Sequence, residues 1–131
     1  MSDSITLSET FAVEPELLYK AWLSSKENSD FTGGAAKASS RIGGAFTAWD
    51  GYIEGKNLEL VKNKKIVQSW RSTEFPKNAK DSLLEIILKP VKLGTKLTLK
   101  HYNIPKGQGK SYKNGWEKHY FVPMQEYFGK G

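Results

Sequence analysis

The sequence predicts an α+β domain of the helix-grip type, a curved antiparallel sheet of about six strands wrapped around a long C-terminal helix, with two short helices after the first strand. Three observations lead there. Period-2 alternation dominates from residue 45 to residue 102 with only short breaks, so most strands are sequential antiparallel neighbours. Helical periodicity before that stretch is confined to a brief segment after the first strand. The chain then closes on one aromatic stripe at a spacing of four, which a curved sheet can bury against its concave face.

The first strand is expected over Ser4 to Phe11, where Ile5, Leu7 and Glu9 alternate with Thr6, Ser8 and Thr10. Pro15 is preset for a first helical turn, and Leu18 and Trp22 recur four apart with Leu17 and Ala21 alongside, giving a short amphipathic helix over 15–24. A second short helix runs to about Phe31. Thr32 to Gly44 is small and polar, with paired glycines at Gly33-Gly34 and Gly43-Gly44, and reads as a loop able to act as a mobile rim. It has no phosphate-cradle spacing.

Strands follow at Ala45 to Trp49 and Tyr52 to Val61, joined by a hairpin at Asp50-Gly51. Ile66 to Thr73, Ser82 to Leu88 and Lys96 to Tyr102 complete the sheet, separated by Lys62-Asn63-Lys64, a loop around Pro76 to Lys80, and Leu93-Gly94. The final helix carries Trp116, Tyr120 and Met124, with Tyr127 near the same stripe and Gly129 as its stop. Pro123 removes the hydrogen bond to the carbonyl of His119, so a bend is expected there, and Gly115 weakens the helix start.

At 131 residues, without repeats, linkers or a shift in composition, residues 1–131 form one domain. No run of about 18 apolar residues is present to cross a bilayer. Met1-Ser2-Asp3-Ser4 lacks the features of an export signal, so a cytoplasmic location is expected, with no membrane partner. The absence of cysteine excludes disulfides, thiolate nucleophiles and cysteine zinc sites. His101 and His119 have no carboxylate at a ligand spacing, so neither metal nor cofactor is expected. The net charge of +6 comes from lysines spread along the chain, with Arg41 and Arg71 the only arginines, which favours a solvated surface over a nucleic-acid partner.

Alternation places Ile66, Gln68 and Trp70 on one strand face and Arg71 on the other, so Trp70 is a core residue beside a surface or ion-paired arginine. Gly51 and Gly55 are expected on the side of Ile53, letting the sheet bend or the helix approach. Leu97, Leu99 and His101 share a face, and if it looks inward the imidazole enters a pocket between sheet and helix. The competing reading pairs His101 with a backbone group or leaves it at the strand's end. The expected cavity residues are Trp22, Trp49, Trp70, Leu99, His101, Trp116, Tyr120 and Met124, an aromatic wall suited to a small apolar or amphipathic ligand. Asp50 and Glu54 fall on one side of their strand, but nothing places them facing each other as paired acid–base chemistry requires. No catalytic residue is assigned; a cyclase- or hydrolase-like activity would rest on His101 and nearby tyrosines alone.

The succession Ile5-Thr6-Leu7-x-Glu9-Thr10-Phe11, Gly43-Gly44-x-Phe46, Asp50-Gly51-x-Ile53-x-Gly55, Ile66-Val67-x-x-Trp70-Arg71, Ile104-Pro105, Gly115-Trp116-x-x-x-Tyr120-Phe121 and Phe128-Gly129-x-Gly131 resembles the C-terminal domain of activators of the heat-shock protein 90 ATPase, nearly end to end. The resemblance implies the START-like, Bet v 1-like (SRPBCC) superfamily fold, with a cavity between sheet and C-terminal helix. It also implies a heat-shock protein 90-type chaperone as partner. The eukaryotic activators carry a second, upstream domain, whereas the first strand is expected here within a few residues of Met1, so the resemblance carries the fold further than ATPase stimulation.

Overall fold

The computed structural model describes residues 2–32, 34 and 36–128, with the side chains of 31 and 32 excepted. The elements run β1 (Ser2–Phe11), α1 (Pro15–Trp22), α2 (Ser25–Thr32), β2 (Ala45–Ala48), β3 (Ile53–Val61), β4 (Lys65–Ser72), β5 (Ser82–Val91), β6 (Gly94–Pro105), α3 (Gly109–Trp116), a π-helical turn (Glu117–Phe121) and α4 (Val122–Phe128). The six strands form one antiparallel sheet in the order β1-β6-β5-β4-β3-β2, so β1 returns to the last strand and every other neighbour is sequential. This is the helix-grip fold. Among the described residues no helix is long and apolar enough to cross a membrane.

Alternation sets the two faces of the sheet. Leu7, Phe11, Ile66, Trp70, Leu84, Ile86, Leu88, Leu97 and Leu99 are buried on the concave side with Trp116, Tyr120, Phe121 and Met124 of the C-terminal helix. Phe11 meets Phe121 edge-on at 6.1 Å, and Trp22 of α1 stacks on Trp116 at 6.0 Å. Arg71 points the other way, as expected. Its guanidinium donates to the carbonyls of Ala79 and Pro76 at 2.6 and 2.9 Å and pairs with Asp81 at 3.3 Å, holding the β4–β5 connection against the sheet.

Four expectations are corrected. The β2–β3 connection is a four-residue turn, Trp49 to Tyr52, since the last cross-strand pair is Ala48↔Ile53. Trp49, Asp50 and Gly51 all adopt positive φ, so the indole leaves the strand's alternation and swings toward the helix. Gly51 therefore lies in the turn rather than on the strand. Gly55 does accommodate a close approach, but of Ser69 on β4 and the Phe46 ring rather than of the helix.

The C-terminal helix begins at Gly109, well before Trp116, which leaves Gly115 near the end of α3 instead of at a helix start. The irregularity tied to Pro123 takes the form of the π turn. Val122 N bonds to Glu117 O, five residues back, so the ladder changes register one residue before the imino nitrogen arrives. The expected stop at Gly129 lies outside the described residues.

The segment after α2 is tied at several points. Ser25 Oγ donates to the Ala38 carbonyl and accepts from its amide, and Ser29 Oγ does the same with Ala36. Lys37 exchanges backbone bonds with Thr47 at 3.0 and 2.8 Å. Asn57, buried on β3, donates to the carbonyls of Ser39 and Arg41 at 2.7 and 3.0 Å. Its Oδ1 accepts from Gln68, whose own carbonyl accepts from the Trp22 indole, so one buried polar chain joins loop, sheet and α1.

Candidate functional site

The β2–β3 turn, β4 and the C-terminal helix enclose a half-open cleft of about 320 Å³. Its walls are Trp49, Tyr52 and Ile53 from the turn and β3, Trp70 from β4, and Ser111, Tyr112, Gly115, Trp116, His119 and Tyr120 from the helix. Two helical stripes supply the last group: Tyr112, Trp116 and Tyr120 recur every four residues, and so do Ser111, Gly115 and His119. Gly115 has nothing within 4 Å of where a Cβ would sit, which leaves helix backbone bare at the wall. Trp49 reaches across the opening, edge-on to His119 at 5.5 Å and to Tyr120 at 6.3 Å.

One wall is anchored through the polar tip of Tyr112. Tyr112 Oη donates to Gln108 Oε1 at 2.7 Å and accepts from Ser72 Oγ at 2.7 Å, while Gln108 Nε2 donates to the Glu74 carbonyl at 3.1 Å. Burial pushes the phenols of Tyr112 and Tyr120 above the ordinary tyrosine value, so both stay protonated. Among the described residues no aspartate, glutamate, lysine or arginine side chain lines the cleft.

Of the eight residues expected to form the cavity, Trp49, Trp70, Trp116 and Tyr120 line this cleft. Trp22, Leu99, His101 and Met124 do not; all four are buried in the core. His101 is fully enclosed one layer behind the cleft, with Trp70 and Trp116 at ring distances of 4.6 and 5.9 Å. Its Nδ1 accepts from Trp116 Nε1, a group that can only donate, at 3.2 Å. The proton therefore sits on Nε2, which donates to Ser82 Oγ at 2.8 Å, and Ser82 in turn donates to the Trp70 carbonyl at 2.7 Å. Desolvation lowers the imidazole pKa to about 3. A neutral histidine with both nitrogens engaged and no path to solvent is a structural hydrogen-bond relay, not a base poised for substrate.

Among the described residues no three histidine, aspartate or glutamate side chains are placed to hold a metal. Tyr52, Ile53, Ser111, Tyr112, Gly115 and His119 were not expected at the site. For Tyr112 alone the sequence carries a signal: it continues the Trp116–Tyr120 stripe by one helical turn toward the N-terminus.

A profile of the family described as Activator of Hsp90 ATPase homolog 1-like protein matches residues 12–129. The chain is 32% identical over 128 residues to the human activator of 90 kDa heat shock protein ATPase homolog 1, covering 97% of this chain and 37% of that protein. It is 24% identical over 115 residues to the corresponding activator homologue of Dictyostelium discoideum, covering 88% of this chain and 30% of that protein. The chain thus spans little over a third of the human relative. Among solved structures, an HSP90 activator from Plasmodium falciparum superposes with a TM-score of 0.88 at 28% identity, over 98% of this chain and 97% of that one. The Aha1 dimer from Colwellia psychrerythraea shares the fold at a TM-score of 0.76 and 14% identity, over 96% of this chain and 93% of that one.

Proposed function

Because the chain belongs to the Activator of Hsp90 ATPase homolog 1-like family, we propose that it is a non-catalytic co-chaperone module that binds a heat-shock protein 90-type chaperone. The observation that carries this reading is the match, at nearly equal extent, to the Plasmodium falciparum protein titled an HSP90 activator. The relay around His101 supports the non-catalytic part, since the residue best suited to proton transfer has no free nitrogen. Binding and stimulation are separate questions, because the chain corresponds to 37% of the human activator. The test is an amide NMR titration of the labelled protein with the chaperone of its own host, alongside the chaperone's steady-state ATPase rate. Saturable shifts with a raised rate are expected; an unchanged spectrum overturns the reading.

A second reading gives the cleft its own role, and it is favoured by the near-continuous ring lining within a volume of small-ligand size. Flat aromatic walls suit a small apolar or amphipathic molecule that itself carries a ring, stacked against Trp70 or Trp116. Thermal stabilisation and tryptophan quenching by a naphthalene-bearing probe are expected. Absence of both removes this role.

A further inference from the structure

One end of the sheet concentrates positive charge in a way that its own packing does not explain. The β3–β4 turn carries Lys62 and Lys64, and the β5–β6 hairpin carries Lys89, Lys92 and Lys96. The two turns are adjacent, since Leu88 N donates to Lys64 O at 2.8 Å. Lys89 and Lys96 are direct cross-strand partners, an arrangement in which like charges repel. All five lysines are exposed, and none is ion-paired among the described residues. Lys65 close by shows the contrast, bonded to Glu85 at 3.1 Å and to Glu59 at 3.8 Å. Segments 61–64 and 88–97 contain no carboxylate.

Apolar side chains lie among these lysines. Val61 and Val91 are exposed, and Leu93 at the hairpin tip is 70% exposed. The tip is held in place rather than dangling: Gly94 packs so closely on the Phe11 carbonyl that a side chain would not fit, and Thr95 Oγ1 donates to Val13 O at 2.7 Å. The result is a firm, basic surface with aliphatic points, on which Lys89 and Lys96 face each other and none of the five lysines is ion-paired among the described residues.

We propose that this sheet end, formed by the β3–β4 turn and the β5–β6 hairpin, is the docking surface for an acidic protein face that offers apolar side chains to Val61, Val91 and Leu93. Under the co-chaperone reading, on which this identification of the partner rests, it is the surface turned toward the chaperone. Charge complementarity selects the partner. Five lysines with no arginine lack the forks that grip phosphates, which disfavours nucleic acid. The aromatic residues that anchor proteins at a lipid interface are missing from both segments, which disfavours a membrane. Aliphatic points ringed by charge match the core-and-rim build of a protein interface.

The test compares the wild type with the triple variant Lys64→Glu, Lys89→Glu, Lys92→Glu. Converting Lys89 replaces a facing lysine pair by an opposite-charge pair, so the variant is expected to fold at least as stably as the wild type. Each protein is titrated, at low and moderate salt, with the host chaperone and separately with poly-L-glutamate, anionic phosphatidylserine vesicles and duplex DNA. The wild type is expected to bind chaperone and polyglutamate, more weakly as salt rises, with amide shifts over 61–64 and 88–97. The variant is expected to lose about tenfold or more in affinity for both. Binding of polyglutamate at this end without binding of the chaperone sinks the co-chaperone reading and leaves the acidic-partner surface standing. Equal chaperone affinity of variant and wild type, shifts confined to another face, binding of neither polyanion nor chaperone, or preference for vesicles or DNA each overturn the surface.

Discussion

Trp116 Nε1 donates to His101 Nδ1 across 3.2 Å and thereby decides which nitrogen of the imidazole holds its proton. Because Nε2 is committed to Ser82, protonating Nδ1 would force an N–H against an N–H at a fully buried position. The folded-state pKa of about 3 lies below the ordinary 6.5, so the unfolded chain binds the proton more readily than the folded one. His101 therefore contributes stability that is complete above about pH 6.5 and is lost as pH falls toward 3, at about 1.4 kcal/mol per pH unit. Urea unfolding at pH 7, 5.5 and 4.5 is expected to show that slope in the wild type. In His101→Gln, whose amide can serve both partners without titrating, the slope should shrink; identical slopes would refute the relay.

The same substitution is expected to act with opposite sign at two glycines. A Cβ on Gly55 would collide with the Ser69 carbonyl and the Phe46 ring, where cross-strand backbone cannot yield, so Gly55→Ala should cost about 2 kcal/mol or more. At Gly115 the space is open and the backbone is helical, so Gly115→Ala should stabilise by about 0.8–1 kcal/mol through helix propensity. Denaturant midpoints of the two variants check both signs. The second variant also trims the cleft by one methyl group, and naphthalene-probe quenching measures whether that matters.

Asn57 joins three parts of the molecule through one side chain. Asn57→Ala removes the acceptor for Gln68 and the donor for the Ser39 and Arg41 carbonyls, leaving the buried Gln68 amide without its partner at a cost of about 1–3 kcal/mol. The loss should be uneven. The Gly43 amide, which bonds the Asn57 carbonyl at 2.7 Å, is expected to exchange faster relative to β5 and β6 amides; uniform acceleration would contradict an anchoring role for the side chain.

The strands were legible because each buries one face, so Ile66, Gln68 and Trp70 announce themselves by alternation whatever lies opposite. The helix start was not. Gly109 to Gly115 holds two glycines, and Gln108 at the cap position makes no side-chain cap bond. The groups that receive the amides there come from Asp3, more than a hundred residues away, so no local pattern could mark the boundary. The cleft was half legible for a related reason. Aromatic content identified Trp49, Trp70, Trp116 and Tyr120, but Trp49 reaches the cleft only through its left-handed backbone, and His101 is withdrawn from it by partners on β5 and the helix.

That distant cap makes the last prediction. Asp3 Oδ2 accepts from Gly107 N and Gly109 N, both at 2.9 Å, placing a carboxylate at the positive end of α3. Asp3→Ala should cost about 1 kcal/mol, and Asp3→Asn less, since the amide oxygen keeps an acceptor but not the charge. Because α3 brings Ser111, Tyr112 and Gly115 to the cleft, loosening its first turn should also weaken the Tyr112–Ser72 bond. Faster exchange at Gly107 and Gly109, with an altered Tyr112 ring signal in Asp3→Ala and a smaller change in Asp3→Asn, is the expected result. A Tyr112 signal indifferent to both would show that the Gln108 and Ser72 contacts hold the cleft wall without help from β1.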